Sequence, residues 1–293
     1  MYAIGKFTGQ PSWVYTTGGP ILSSPALWGG SVFFGSGDGR IYSLNAYTGR
    51  AQWNQDVGEP IISSPTVVNS KVYIGGPIFL YCLDANTGQM LWKFKHCGLI
   101  KVRPVVYNNK VYFTSWKRFV TCLDANTGRK IWEREIDPSF YYAPATGNPI
   151  VFDGQLIITT PKYIVMGLDL ETGQELWRIE QVKAGYCSPT LWQGKVLVTT
   201  LDGEIVALDA KTGTKLWTAS AGEGIYDASI ATEGNLGITN TCRASLVGFD
   251  CETGTISWKK KLSDSYIFSA PSISDGVVYV GSADDHIYAV KFK

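Results

Sequence analysis

The sequence predicts an all-β fold made of one repeated four-stranded unit, and three observations predict it. A Thr-Gly pair followed by tryptophan recurs seven times at a constant offset: Thr8/Trp13, Thr48/Trp53, Thr87/Trp92, Thr127/Trp132, Thr172/Trp177, Thr212/Trp217 and Thr253/Trp258. Successive tryptophans stand 40, 39, 40, 45, 40 and 41 residues apart, the period of a blade in a β-propeller. Long amphipathic helical patterns are absent, and the 32 glycines among 293 residues read as tight turns between short strands. The expected architecture is a seven-bladed β-propeller of four-stranded antiparallel blades, one domain over residues 1–293.

Each element follows from the second repeat. Residues 61–67 (Ile-Ile-Ser-Ser-Pro-Thr-Val) read as the inner strand, Asn69-Ser70 as a turn, and 71–75 as the second strand. Residues 79–83 form the third and 90–94 the outer strand. An Asp or Asn precedes the Thr by three residues in six copies, at Asn45, Asp84, Asp124, Asp169, Asp209 and Asp250. Its side chain is placed to accept turn N–H groups, and the glycine to take positive φ. The tryptophan is expected to cover the gap between neighbouring sheets. A small residue precedes the last apolar position of most third strands (Ser43, Cys82, Gly167, Ala207, Gly248, Ala289), as close sheet packing requires.

The ends complete the pattern. The last copy stops at a third strand, 286–291, and residues 8–15 read as an outer strand. The ring is therefore expected to close by pairing the N-terminal outer strand with the C-terminal sheet, which removes exposed edges. Tyr2-Ala3-Ile4 resembles Tyr288-Ala289-Val290 and competes for the same place. The C-terminal copy is expected to win it, being continuous with its own second strand.

Composition bounds the partners. With 26 basic and 25 acidic side chains the net charge is +1, so binding to nucleic acid driven by phosphate neutralisation is not expected. No apolar run reaches the roughly 18–20 residues that cross a bilayer, and the first residues carry no signal-peptide pattern. A cytoplasmic location follows if Met1 is the natural start; otherwise the chain is an exported domain without its signal.

The run Leu-Asp-Ala-x-Thr-Gly-x-x-x-Trp, at 83–92, 123–132 and 208–217, resembles the pyrroloquinoline-quinone-like (PQQ-like) propeller repeat. That repeat occurs in quinoprotein alcohol dehydrogenases and in the outer-membrane assembly lipoprotein of the β-barrel assembly machine. The resemblance spans the chain and implies the propeller fold; its motif residues build blades and do not hold the quinone. It also implies, for the dehydrogenases, eight blades, a calcium held by carboxylates and amides, and a vicinal Cys-Cys disulfide. This chain has seven copies and no adjacent cysteines. The assembly lipoprotein is likewise eight-bladed and bears a lipidated cysteine near its start, whereas the first cysteine here is Cys82. No cofactor is expected.

The six cysteines, Cys82, Cys97, Cys122, Cys187, Cys242 and Cys251, form no Cys-x-x-Cys, and the two histidines, His96 and His286, fall far apart in the repeat. Free structural thiols in a reducing compartment are expected, with no metal site. Lys211-Thr212-Gly213 only occupies the Thr-Gly register, and Gly35-Ser36-Gly37-Asp38-Gly39 lies between strands with no helix to face a phosphate. The acidic turns at 202–204 and 284–285 read as solvated hairpins rather than calcium sites.

What remains is the face carrying the loops into each inner strand and the turns between second and third strands, where the repeats stop resembling one another. Repeat three places Lys101, Arg103, Trp116, Lys117 and Arg118 there, and repeat four adds Asn148 and Lys162. Asp227 marks the corresponding position in repeat six, and most acidic residues fall away from repeats three and four. Basic groups around an aromatic suit a protein, a peptide or an anionic oligomeric ligand. The expected function is therefore a non-catalytic, monomeric interaction or scaffold module. The alternatives are a PQQ-dependent oxidoreductase-like protein, or a sensor or accessory domain of a larger enzyme.

Overall fold

The computed structural model describes residues 1–96, 98–116, 118–136, 147–160, 163–180, 182–184, 187–225 and 228–292. The chain divides into two compact units, Met1–Ala145 and Thr146–Lys293. Among the described residues every regular element is a strand, and every pairing is antiparallel between neighbours in sequence.

The first unit opens with a hairpin of Tyr2–Ile4 and Pro11–Val14. Repeat one follows as Ala26–Trp28, Ser31–Gly35, Arg40–Asn45 and Ala51–Asp56. Repeat two is Thr66–Val68, Lys71–Gly75, Phe79–Asp84 and Met90–Lys95; repeat three is Val105–Tyr107, Lys110–Thr114, Phe119–Asp124 and Lys130–Glu135. In the second unit, repeat four is Ile150–Phe152, Gln155–Thr160, Ile164–Asp169 and Glu175–Ile179. Repeat five is Thr190–Trp192, Lys195–Thr199, Glu204–Asp209 and Lys215–Ser220; repeat six is Ala231–Glu233, Leu236–Asn240, Ser245–Asp250 and Ile256–Lys261. Repeat seven has three strands, Ser272–Ser274, Val277–Gly281 and Ile287–Lys291.

Two-residue turns join first to second strands. Asn69 and Ser70 take φ of 49° and 58°, and Asn108 and Asn109 take 46° and 59°, the left-handed pair that matches strand twist in a tight hairpin. The inner strand is shorter than the sequence suggests, starting at Thr66 rather than Ile61. Pro65 has no N–H for a ladder, and the Ser63 hydroxyl substitutes for one. It accepts from the Gly75 N–H at 2.7 Å and donates to the Gly75 carbonyl at 2.8 Å.

The Thr-Gly turns behave as their spacing predicts. In all six copies the Asp or Asn Oδ1 accepts from the backbone N–H two and three residues on and from the Thr hydroxyl, at 2.7–3.1 Å. Hydrogen bonds from that Thr hold Asp84, Asp124, Asp209 and Asp250 below the usual carboxylate range. The tryptophan of one repeat then seats on the turn of the next. Trp13, Trp53 and Trp92 donate Nε1–H to the carbonyls of Ala46, Ala85 and Ala125 at 3.0, 2.9 and 3.1 Å. A Cβ added at Gly49, Gly88 or Gly128 would lie 2.7 Å from those indoles, so only glycine fits.

The small-residue slot has a reason the sequence does not give. Ser43, Cys82, Cys122, Gly167, Ala207 and Gly248 stand directly opposite the tryptophan of their own outer strand, at a β-bulge that skips the residue before it. A Cβ at Gly248 would meet Trp258 at 2.2 Å.

The N-terminal pairing differs from expectation. Pro11–Val14 pairs with Tyr2–Ile4, and among the described residues repeat seven has three strands. This hairpin closes a short loop at little cost in chain entropy. Gly5 tightens it by donating to Gln10 and accepting from Gly9, both at 2.8 Å. Met1, Trp13 and Tyr15 pack this hairpin on Val32, Phe34, Tyr42 and Leu44 of repeat one.

Candidate functional site

Of the eight residues marked by the sequence, Lys117, Lys162 and Asp227 lie outside the described residues. In the first unit the structure joins the 99–103 segment to the turn of repeat three: the Trp116 N–H donates to the Leu99 carbonyl at 3.0 Å. Trp116 is 42% exposed beside this junction, and Lys101 is also exposed. Val102 is buried in the core shared with repeat two, which holds its neighbours in place.

Arg103 stands before the inner strand where repeats one, two, five and six have serine. That position carries a relay which the sequence reading missed. Ser24 N–H donates to the Ser64 hydroxyl at 3.0 Å in the first unit. In the second unit Asn148 N–H donates to Ser188 Oγ at 2.9 Å, and Ser188 N–H to Ser229 Oγ at 3.1 Å. A guanidinium has no acceptor, so the relay of the first unit stops at repeat three. Burial lowers the Arg103 pKa from its ordinary value. Asn148 is a relay donor, and its assignment as a ligand contact has no separate structural support.

Arg118 differs from a freely displayed cation. It occupies the left-handed turn position, φ 71°, where repeats one and five have Gly39 and Gly203. Its guanidinium pairs with Glu135 at 3.2 Å. The neighbouring His96 is buried, its ring edge-on to Phe113 at 5.6 Å. It belongs to the core.

The acidic groups of the loop side are similarly committed. Glu59, buried in repeat two, accepts from the Ile78 and Phe79 N–H groups at 3.1 and 3.2 Å and from the Tyr81 hydroxyl at 2.7 Å. Asp38 accepts from Gly18 N–H at 2.8 Å and Tyr42 OH at 2.7 Å. Burial alone would raise the Asp38 pKa, but these bonds bring it below the usual range. Asp284 accepts from Tyr288 OH at 2.7 Å, which with smaller contributions pushes its pKa down to about 2. Glu223 pairs with Lys259 at 3.0 Å, Asp264 with Lys261 at 3.1 Å, and Asp202 with Lys183.

These commitments test the quinone and calcium implied by the resemblance. Among the described residues no three His, Cys, Asp or Glu gather as a metal cluster, and the loop-side carboxylates above already serve amides, tyrosines and lysines. Among the described residues the donor set does not fit that group. Cys82, Cys242 and Cys251 are free, the Cys187 thiol donates to the Thr199 carbonyl at 3.0 Å, and burial pushes the Cys82 and Cys251 thiols up to about 12, so these two are not poised as nucleophiles. Cys97 lies outside the described residues.

With this geometry in hand, comparison places the chain. The family model described as outer membrane protein assembly factor BamB matches residues 1–77, 79–197, 117–243 and 201–293. The chain belongs to that family of PQQ-like repeat proteins. BamB from Moraxella catarrhalis superposes with a TM-score of 0.79 at 18% identity, over 92% of this chain and 84% of that one. Quinohemoprotein alcohol dehydrogenase from Comamonas testosteroni gives 0.79 at 16% identity, over 95% and 67%. A europium-containing methanol dehydrogenase gives 0.79 at 15%, over 98% and 78%. The fold is that of the β-propellers. No curated protein sequence matches the chain. Among the described residues no helix is long and apolar enough to cross a membrane.

Proposed function

We propose that the protein is a non-catalytic interaction module of the assembly-factor kind, gripping a protein, peptide or anionic oligomer through the loop side of repeat three. One observation carries this reading: an exposed Trp116 is tied to the segment bearing Lys101 and Arg103, and Arg103 stands where every other repeat has a neutral residue. An aromatic anchor flanked by cations is the composition of a binding hot spot. Lys117, Asn148, Lys162 and Asp227 are assigned to the same function on sequence register alone. Arg118 contributes to the turn through Glu135. The family's description as an outer-membrane assembly factor supports an exported domain over a cytoplasmic one.

The test is capture of partners from the source cell's envelope, comparing wild type with Trp116→Ala and Lys101→Glu. Both substitutions are expected to leave the melting temperature within about 2 °C and to weaken capture about tenfold, Lys101→Glu more strongly at low salt. Undiminished capture by both variants refutes the site. Mixing the protein with the quinone and calcium is expected to give no dye-linked alcohol oxidation.

A further inference from the structure

Each four-stranded repeat ends in an outer strand that is paired on one side. In repeat five that strand is Lys215–Ser220, and the strand and its neighbours in repeats four and six all belong to the second unit. The Ala221 N–H donates to the Gly203 carbonyl at 2.8 Å, and the register sets Ala219 opposite Ile205 and Trp217 opposite Ala207. Backbone groups alternate in direction along a strand. Ala219 and Trp217 therefore face the third strand, and the N–H and C=O groups of Thr218 and Ser220 face outward. Among the described residues no strand pairs with them.

Such an edge invites pairing with another chain, and charge along it is the usual guard. The residue after the tryptophan sits in the middle of each outer strand. It is Lys93 in repeat two, Glu133 in repeat three, Arg178 in repeat four and Lys259 in repeat six. In repeat one it is Asn54, which accepts from the Arg40 guanidinium. Repeat five has Thr218, and its outward residues Leu216, Thr218 and Ser220 are all exposed and all uncharged.

That difference selects the occupant. When two copies of one strand pair antiparallel about a two-fold axis, the middle residue stands opposite itself. In repeats two, three, four and six this sets like charge against like charge, which destabilises a sheet, and in repeat one it brings two Arg40 side chains together. In repeat five it makes a Thr–Thr pair, which stabilises one. The flanks agree. With Thr218 at the centre, Leu216 faces Ser220 of the second copy. Ser220 stands opposite Glu204 in its own sheet, so exposed Lys215 of one copy approaches exposed Glu204 of the other.

We propose that the outer strand of repeat five pairs with the same strand of a second copy, so that the protein is a two-fold dimer and not the expected monomer. Two six-residue strands cover less than the roughly 1,200 Å² of a standard interface, and the dimer therefore forms weakly, at tens of micromolar.

Sedimentation equilibrium of the full chain from about 1 to about 500 µM reads the association. The wild type is expected to pass reversibly from monomer to dimer and no further. Thr218→Lys and Thr218→Glu each set like charges face to face and are expected to weaken association at least about tenfold, with the melting temperature within about 2 °C of wild type. An equimolar mixture of these two variants is expected to restore a dimer of one copy of each, because opposite charges then meet. If a charged variant does not fold, amide hydrogen exchange of the wild type decides the matter. The Thr218 and Ser220 N–H groups are expected to exchange more slowly as concentration rises, and unchanged exchange at both overturns the proposal. So does a monomer at every concentration, association that Thr218→Lys leaves unaltered, growth beyond the dimer, or a mixture that stays monomeric. A monomer that instead binds a neutral peptide of alternating threonine and valine at this edge overturns it in favour of another protein's strand.

Discussion

At the Thr-Gly end of the repeats, one oxygen at Asn45, Asp84, Asp124, Asp169, Asp209 or Asp250 accepts the same three hydrogens each time. At the opposite end, the turn between second and third strands is braced by Asp38 in repeat one, Glu59 in repeat two, Glu223 through Thr241 in repeat six and Asp284 in repeat seven. Both ends must satisfy turn amides that have no ladder partner. The first end must also receive a neighbour's indole, and that second demand leaves one solution. The second end receives no indole, so several residues at several sequence positions serve. A surface free to vary without loss of the fold is where a binding specificity can be written.

Glycine substitutions should break this contrast most strongly. Gly88→Ala forces a Cβ to 2.7 Å from Trp53 at a φ of 75°. Gly58, on the loop side, has nearly the same φ of 76° but no atom within 4 Å. The expected losses in urea unfolding are about 2–4 kcal/mol for Gly88→Ala and about 1 kcal/mol for Gly58→Ala. Equal losses would mean that backbone strain, not indole packing, fixes the Thr-Gly turn.

A smaller difference should separate two braces of the loop side. Glu59→Ala leaves two amides and the Tyr81 hydroxyl without their buried acceptor and should cost about 2–3 kcal/mol. Asp38→Ala opens a comparable gap where water can enter, and about 1 kcal/mol is expected. A loss at Asp38 matching that at Glu59 would show that water does not replace the lost acceptor at Asp38.

The smallest effect concerns acid. The Asp284 pKa is depressed in the fold to about 2, against an ordinary value of about 3.9. Its contribution is therefore present above pH of about 4 and fades as pH falls toward about 2. Asp284→Asn should flatten that part of the stability profile by one group's worth, lowering stability slightly at neutral pH and leaving it unaltered near pH of about 2. An unchanged acid limb would remove Asp284 from the set of braces.

The division between legible and illegible follows the same physics. The Thr-Gly turns could be read because their bonds run between residues two and three apart, so the spacing itself encodes them. The Ser24–Ser64 and Ser188–Ser229 contacts lie about one period apart, and only the serine before each proline hints at them. Glu59 bridges to a turn about twenty residues later and breaks the repeat pattern, so no periodic reading could find it. The basic group was visible by composition, but its partners were not. Arg118 looks free in the sequence and is paired with Glu135. The inner strands were overread because Ser63 imitates a ladder partner with its side chain. The pairing of Pro11–Val14 with Tyr2–Ile4 is hard to read in the sequence because Tyr2-Ala3-Ile4 and Tyr288-Ala289-Val290 are near copies.

The seating of each tryptophan on the following repeat makes the chain report on itself. Because Trp53 hydrogen-bonds to Ala85 and Trp92 to Ala125, loosening of one turn wets the indole of the repeat before it. Emission from a variant retaining a single such tryptophan would thus shift to the red when its downstream neighbour frays. A set of these variants would record the order in which repeats come apart, one boundary at a time, with no label introduced.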